Sequence, residues 1–304
     1  MRKYKRKKKV TTGGKFKLKI FIWVLVFIII FAIYCFMRKS LWDGKSKLNL
    51  AVRVENFLTV LIFDPENSEI VRIIVPGETE INVSRGLGVV PVKNLWILGE
   101  KSGIGGKLVS ETVTRSLLIP TIYWADKEAL GLGEGSKLAV IKTLFSFYKT
   151  NLPLADKVKI TIFALTVNNS RITDISLQEL GYIKKAILKD ESEGYLIADK
   201  FPNELLAVLA DDEISDGQVR VSIRNSTGNV LIPQDIGKII SVMGGKVSSV
   251  ESNPLNDSDC LVVGSKKSIV VKIASVFSCD WELRGSESLF DVDMSIGSEF
   301  LKRF

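Results

Sequence analysis

Residues 57–79 read FLTVLIFDPENSEIVRIIVPGET, and this stretch decides the fold. Leu58 to Phe63 form an apolar strand, and Asp64-Pro65-Glu66-Asn67-Ser68 supplies the residue types that reverse a chain. EIVRIIV at 69–75 continues as the partner strand, so 58–75 is expected to be a hairpin. Upstream, 49–54 reads as a further short strand. Downstream, the spacing of Leu108, Val109, Val113, Leu117 and Leu118 predicts a helix over 107–118, closed by Pro120. A second helix is expected over 137–148, and a strand over 157–167 (KVKITIFALTV). Ser176 as cap and Glu179 as its capping-box partner, followed by Leu180, Ile183 and Ile187, predict a helix over 176–188. Residues 48–209 are therefore read as one α/β domain.

The chain has 304 residues, 42 Lys and Arg against 34 Asp and Glu, three Cys and no His. Without His, Ser-His-Asp and Cys-His catalysis and imidazole-ligated zinc are excluded. The net charge of +8 is local in origin. Residues 1–19 carry ten basic and no acidic residues, and Arg38 and Lys39 add two more basic ones. The remaining 30 basic against 34 acidic residues leave 40–304 near −4, so no nucleic-acid footprint is expected on the folded body.

Residues 20–37, IFIWVLVFIIIFAIYCFM, form an eighteen-residue run without charge. At 1.5 Å per residue a helix of this length spans roughly 27 Å, close to the hydrocarbon core of a bilayer. A buried helix of a soluble domain would need polar positions on one face. A signal-peptide core would be shorter, and YCFMRK is a poor small-residue cleavage site. The reading is a single transmembrane helix behind a basic cytoplasmic tail at 1–19, with the body outside. Trp23, Tyr34 and Trp42 are expected at the membrane interfaces.

The C-terminal region, 217–304, has the clearest order. VRVSIR at 219–224 reads as a strand, Asn225-Ser226-Thr227-Gly228 as a turn, and Pro233 as an early helical residue. Ile236, Ile239, Ile240 and Met243 form the stripe of an amphipathic helix that Gly244-Gly245 ends. Strands follow at 246–250 and 260–264, a helix at 267–277 and a last strand at 290–296. The pattern is βαββαβ, with both helices expected on one side of the sheet. A five-residue strand of about 17 Å and an eleven-residue helix of about 16 Å return to the same end, so Cys260 and Cys279 are expected to meet as a disulfide. Two unrelated buried thiols are the alternative. Cys35 lies inside the apolar run.

Little in the chain suggests chemistry. Gly77-Glu78-Thr79 at a strand end is the one eye-catching turn. Lys101-Ser102-Gly103-Ile104-Gly105-Gly106-Lys107 lacks the Walker spacing and reads as a glycine-rich turn before a helix.

Two resemblances organise these motifs. The C-terminal region resembles the LytR C-terminal domain, which begins with a strand running into Asn-Gly-Thr-Gly and ends with Gly-x-Asp/Glu-Phe/Tyr. Asn225, Thr227 and Gly228 match the first motif, with Ser226 replacing its first glycine, and Gly297, Glu299 and Phe300 match the second. The preceding region resembles the LytR–CpsA–Psr domain, whose members transfer lipid-pyrophosphate-linked glycopolymers to peptidoglycan using arginines, acidic residues and a divalent metal. That family's hairpin ends in Ser-Ile-Pro-Arg-Asp-Thr. Here Pro76 and Thr79 match, Glu78 retains an acid, and Gly77 replaces the arginine. The family's Arg-Thr-Asp before the hairpin and its later paired arginines are absent from 53–59 and 157–171.

The expectation is a single-pass bacterial cell-envelope protein with an extracytoplasmic body and no cofactor. Its function is expected to be non-catalytic binding of cell-wall glycan, lipid-linked polymer or an envelope protein. The rival is a divergent phosphotransferase with Glu78, Arg53 or Arg72 as catalytic groups and a divalent metal such as Mg. A regulator that binds nucleic acid through the basic tail is the third reading. A tail tied to a bilayer more readily meets anionic headgroups.

Overall fold

The computed structural model describes residues 23, 24, 27, 40, 42–189, 191–285 and 289–304. The expected transmembrane segment 20–37 lies outside them apart from Trp23, Val24 and Phe27, which are helical and exposed. Among the described residues no helix is long and apolar enough to cross a membrane.

The hairpin is the centre of a mixed five-stranded sheet. Strands β1 (Leu48–Arg53), β2 (Phe57–Asp64) and β3 (Glu69–Pro76) form an antiparallel meander. The short strands β4 (Glu80–Asn82) and β5 (Val89–Pro91) pair beside it. β6 (Tyr123–Ala125) and β7 (Ile172–Ser176) add parallel edges, giving the order β6-β1-β2-β3-β7. FLTVLIF is apolar at nearly every position because both faces of β2 are covered. Leu58, Val60 and Ile62 face one core with α1 (Val92–Lys101), α2 (Lys107–Ser116) and α5 (Asn203–Leu209). Leu61 and Phe63 face another core with α3 (Lys137–Phe145) and α4 (Leu154–Thr166). The region is a three-layer α/β sandwich.

The hairpin turn carries its own lock. Asp64, 2% exposed, accepts from Asn67 N at 3.1 Å and Asn67 Nδ2 at 2.9 Å and pairs with Lys47 at 3.3 Å. Burial by itself would raise this carboxyl's pKa, but the Asn67 bonds and the Lys47 ammonium outweigh it and hold it below 3.8. A depressed folded pKa stabilises above the unfolded value, and that contribution is lost as pH falls through the folded one. Asn67→Ala is thus expected to lower stability at neutral pH, by denaturant titration, with the gap to wild type closing once Asp64 is protonated in both proteins. A gap of equal size at acid pH would contradict the role given to Asp64.

Two expected elements are corrected. Of residues 157–167, all but the capping Val167 are helical as part of α4, not a strand. The helix begins at Leu154, and Asp156, Lys157, Ile160, Thr161 and Ala164 make its buried stripe. Thr161 Oγ1 donates to the Lys157 carbonyl at 2.8 Å, so a β-branched residue is accommodated within the helix. Residues 176–188 are not a helix. One turn forms after Ser176, Gly181 takes a left-handed φ of 67°, and β8 (Ile183–Ile187) pairs with β9 (Glu193–Ile197). Trp42 is also corrected. It is 6% exposed and packs edge-on against Phe163, so it belongs to the folded body.

The second sheet has the order β11-β10-β14-β12-β13, from β10 (Arg220–Asn225), β11 (Lys246–Ser252), β12 (Cys260–Gly264), β13 (Asp280–Leu283) and β14 (Val292–Ile296). Helices α7 (Ile232–Val242) and α8 (Lys267–Phe277) share one core with alternate residues of β10, β12 and β14. The pattern is βαββαββ rather than βαββαβ, because β13 adds an edge strand parallel to β12. All four residues of β13 are exposed, so no buried side chain marks it in the sequence. The short helix α6 (Asp212–Asp216) places Ile214 in this core, before the expected start at 217. The C-terminal helix α9 (Ser298–Arg303) adds Phe300.

Candidate functional site

The turn after β3 presents Glu78 to solvent. Its carboxylate pairs with Lys93 on α1 at 2.7 Å, and its carbonyl accepts from Tyr195 N at 3.1 Å. Pro76 ends β3, and its carbonyl accepts from Thr79 N at 3.1 Å. Thr79 is fully buried, and its Oγ1 has no hydrogen-bond partner among the described residues. Gly77 is held by backbone contact. Its N–H donates to the Asn56 carbonyl at 2.9 Å, and a Cβ there would stand 2.5 Å from that oxygen. The position where the family motif carries arginine therefore has no room for a side chain.

Arg53 and Arg72 are not brought together. Neighbours in register show why. Ala51 faces the α1/α2 core, so Arg53 leaves on that side; Ile70 faces the α3/α4 core, so Arg72 leaves on the other. Arg53 lies over the Trp96 ring at 5.5 Å and 3.8 Å from Asp126. Arg72 forks onto Asp174 across the β3–β7 ladder and reaches the Gly133 carbonyl at 3.3 Å. Two further arginines, absent from the expectations, are also committed. Arg85 forks onto Glu111 with two bonds of 2.8 Å, and Arg115 donates to the Phe304 carbonyl.

The cleft beside Arg53 and Lys93, lined by Leu58, Leu95 and Trp96, holds about 10 Å³, room for about one water. A pyrophosphate does not fit there. The residues do not fit a divalent metal either. Glu78 has a lysine for its neighbour, and among the described residues no three acidic or sulfur groups converge.

The larger opening is a groove of about 700 Å³ between the two sheets' regions, with Trp42, Tyr123 and Trp281 in its walls. Lys47, Lys159, Lys267 and Lys272 line it. Lys272 is paired with Asp211, and Lys47 with Asp64 and Asp212. Lys159 donates to Ser40 Oγ and the Trp42 carbonyl, and Lys267 sits 5.7 Å from the Trp281 ring. Neither of these two has a carboxylate ion-pair partner among the described residues. Asp43, on the same rim, accepts three bonds of 2.9 Å from Lys45 and Ser46. Burial pushes its carboxyl up, but these bonds hold it below the usual value. No sequence pattern marked this groove, because its cations come from the residue before β1, from α4 and from α8.

The C-terminal motif residues serve the fold. Asn225 Oδ1 accepts from Thr227 N at 3.0 Å and Thr227 Oγ1 at 2.6 Å, and Gly228 follows within the turn. Gly297 N donates to the Asp259 carbonyl at 2.8 Å, Glu299 pairs with Lys302, and buried Phe300 stacks on Phe304. Cys260 and Cys279 form a disulfide with Cα atoms 5.0 Å apart.

No family model matches the chain, and no curated protein matches it. Among solved structures, B. subtilis TagV overlaps at 10% identity and a TM-score of 0.37, covering 52% of this chain and 92% of its own. B. subtilis TagT overlaps at 13% identity and a TM-score of 0.38, covering 53% and 88%. The LytR-CPS2A-psr family protein YwtF (TagT), solved with bound octaprenyl pyrophosphate lipid, overlaps at 12% and 0.36, covering 53% and 88%. The chain is similar to these proteins.

Proposed function

We propose that this chain is a membrane-anchored, extracytoplasmic cell-envelope protein that binds rather than transfers, with lipid-linked polymer, cell-wall glycan or an envelope protein as its partner. One observation carries the reading: Arg53 and Arg72 stand on opposite faces of the sheet, each beside its own aspartate, and the cleft at Arg53 and Lys93 holds no more than about one water. Catalysis of phosphoryl transfer depends on cations positioned where charge develops, and these cations are committed elsewhere. The lysine- and tryptophan-walled groove supports binding of an anionic or glycan partner.

The test incubates the full chain in nanodiscs with labelled lipid-pyrophosphate-linked glycopolymer and peptidoglycan. The expected result is retention of the polymer without covalent transfer, and no change in E78A. Transfer that disappears in E78A would establish the phosphotransferase instead. Gly77→Arg, which restores the family residue, is expected to restore nothing. It should also destabilise the fold, by roughly 1–3 kcal/mol in chemical denaturation, because its Cβ meets the Asn56 carbonyl.

A further inference from the structure

Helices α3 and α4 bury polar side chains beside Val140, Ile160 and Ala164, and both also carry apolar side chains outward. On α3, Thr143 is buried and donates to the Glu128 carbonyl at 3.0 Å, while Leu138, Ile141 and Phe145 are 80%, 43% and 76% exposed. Those three recur at i, i+3 and i+7, so they share one face. On α4, Asp156, Lys157 and Thr161 are buried, while Leu154 and Ile162 are 58% and 59% exposed. The two helices pack against one another, with the connecting segment between them. Lys157 donates to the Ser146 carbonyl at 3.0 Å and lies 4.2 Å from the Tyr148 ring, which leaves Phe147 between them fully exposed beside the first turns of α4. A continuous apolar surface on a folded body marks an interaction site.

The same helix receives the chain from the apolar run. Ser40 donates to Asp156, and Lys159 donates to Ser40 Oγ at 2.8 Å. Met37 is three residues from Ser40 in the sequence, so covalent geometry keeps the end of the run within about 11 Å of Ser40. Lys137 and Lys142 are exposed on α3, with no ion-pair partner among the described residues. We infer that the face formed by Leu138, Ile141, Phe145, Phe147, Leu154 and Ile162 rests in the headgroup region of the bilayer that residues 20–37 enter. The two lysines then meet anionic lipid phosphates, as basic residues beside an inserted apolar face do. The inference rests on the anchored reading above and adds to it an orientation: α3 and α4 lie down, and the 700 Å³ groove, whose rim includes Ser40 and Lys159, opens next to the lipid surface.

The test places an environment-sensitive fluorophore on Phe147→Cys in a Cys35→Ser background, without reductant, in the full chain reconstituted into phosphatidylcholine–phosphatidylglycerol vesicles. A second label on Glu251→Cys, exposed on β11, reports water. The expected result is blue-shifted emission at 147 and quenching by headgroup-proximal doxyl lipid several-fold stronger than at 251. Phe145→Asp should reduce that quenching at least two-fold while the far-UV spectrum is unchanged. A water-like, unquenched label on protein that resists alkaline carbonate extraction overturns the docking and leaves the anchor standing. Protein stripped by carbonate overturns both. A blue shift that doxyl lipid does not quench also overturns it, assigning the face to a second copy if the shift depends on protein concentration and to the chain's own apolar segment if it does not.

Discussion

Cys260→Ser is expected to lower the stability of the C-terminal module by about 2–4 kcal/mol, the range for opening a loop of this size. The bond closes a separation of 19 residues and joins the first residue of β12 to the residue just before β13. Because β12 and β13 are parallel, it fixes both ends of one strand–helix–strand crossover at the same edge. Arg303 adds to the effect. It donates to Cys260 Sγ at 3.0 Å, to the Phe277 carbonyl at 2.8 Å and the Ser278 carbonyl at 3.0 Å, and to Asp259. It thereby holds α9 against the end of α8, with a cation at a helix C-terminus where the dipole favours one. Denaturant titration of the full chain, with and without reductant, reads the loss. Reductant should bring wild type close to C260S, and a wild type insensitive to reductant would show that the bond contributes nothing.

The readable elements share a physical feature: each had a single covered face or a buried run with strong end signals. The hairpin, the helix over 107–116, and α7, β12 and α8 are of this kind. α4 misled because its outward face is as apolar as its inward face, so KVKITIFALTV offered no polar stripe to define a helical period. The stretch 176–188 misled because Ile183 and Ile187 are four apart, a spacing that fits one helical face and one strand face equally. Gly181 was the discriminating residue, since a glycine at that position stops a helix after one turn. The site was less legible than the fold. That Arg53 and Arg72 occupy different faces follows only once the register of β1, β2 and β3 is known, and their aspartates, Asp126 and Asp174, are 73 and 102 residues away.

Asp156→Ala is expected to be the most damaging substitution outside the disulfide, at about 3–5 kcal/mol, the summed cost of stranding several donors at about 1–3 kcal/mol each. Asp156 is fully buried in the first turn of α4, where the helix dipole favours a carboxylate. It accepts from Tyr123 Oη at 2.9 Å, from Ser40 Oγ, and from Trp42 N at 3.3 Å. Burial and the adjacent charge raise the Tyr123 pKa far above that of a free phenol, so the hydroxyl stays a donor at every physiological pH. Without the carboxylate that donor is stranded in the core. At about 2–4 °C per kcal/mol for a body of this size, the midpoint should fall by roughly 6–20 °C. Asp156→Asn, which still accepts, should cost less, and Tyr123→Phe in the Asp156→Ala background should recover part of the loss. A structural network alone would stop there. Asp156 also ties Ser40 and Trp42, the first described residues after the apolar run, to the helix proposed to lie on the bilayer. Its loss should therefore accelerate amide exchange and tryptic cleavage at Lys45 and Lys47 before global unfolding, and weaken lipid quenching at position 147. Loss of thermal stability with segment 40–47 still protected would confine Asp156 to the core and remove it from the link between the anchor and the folded body.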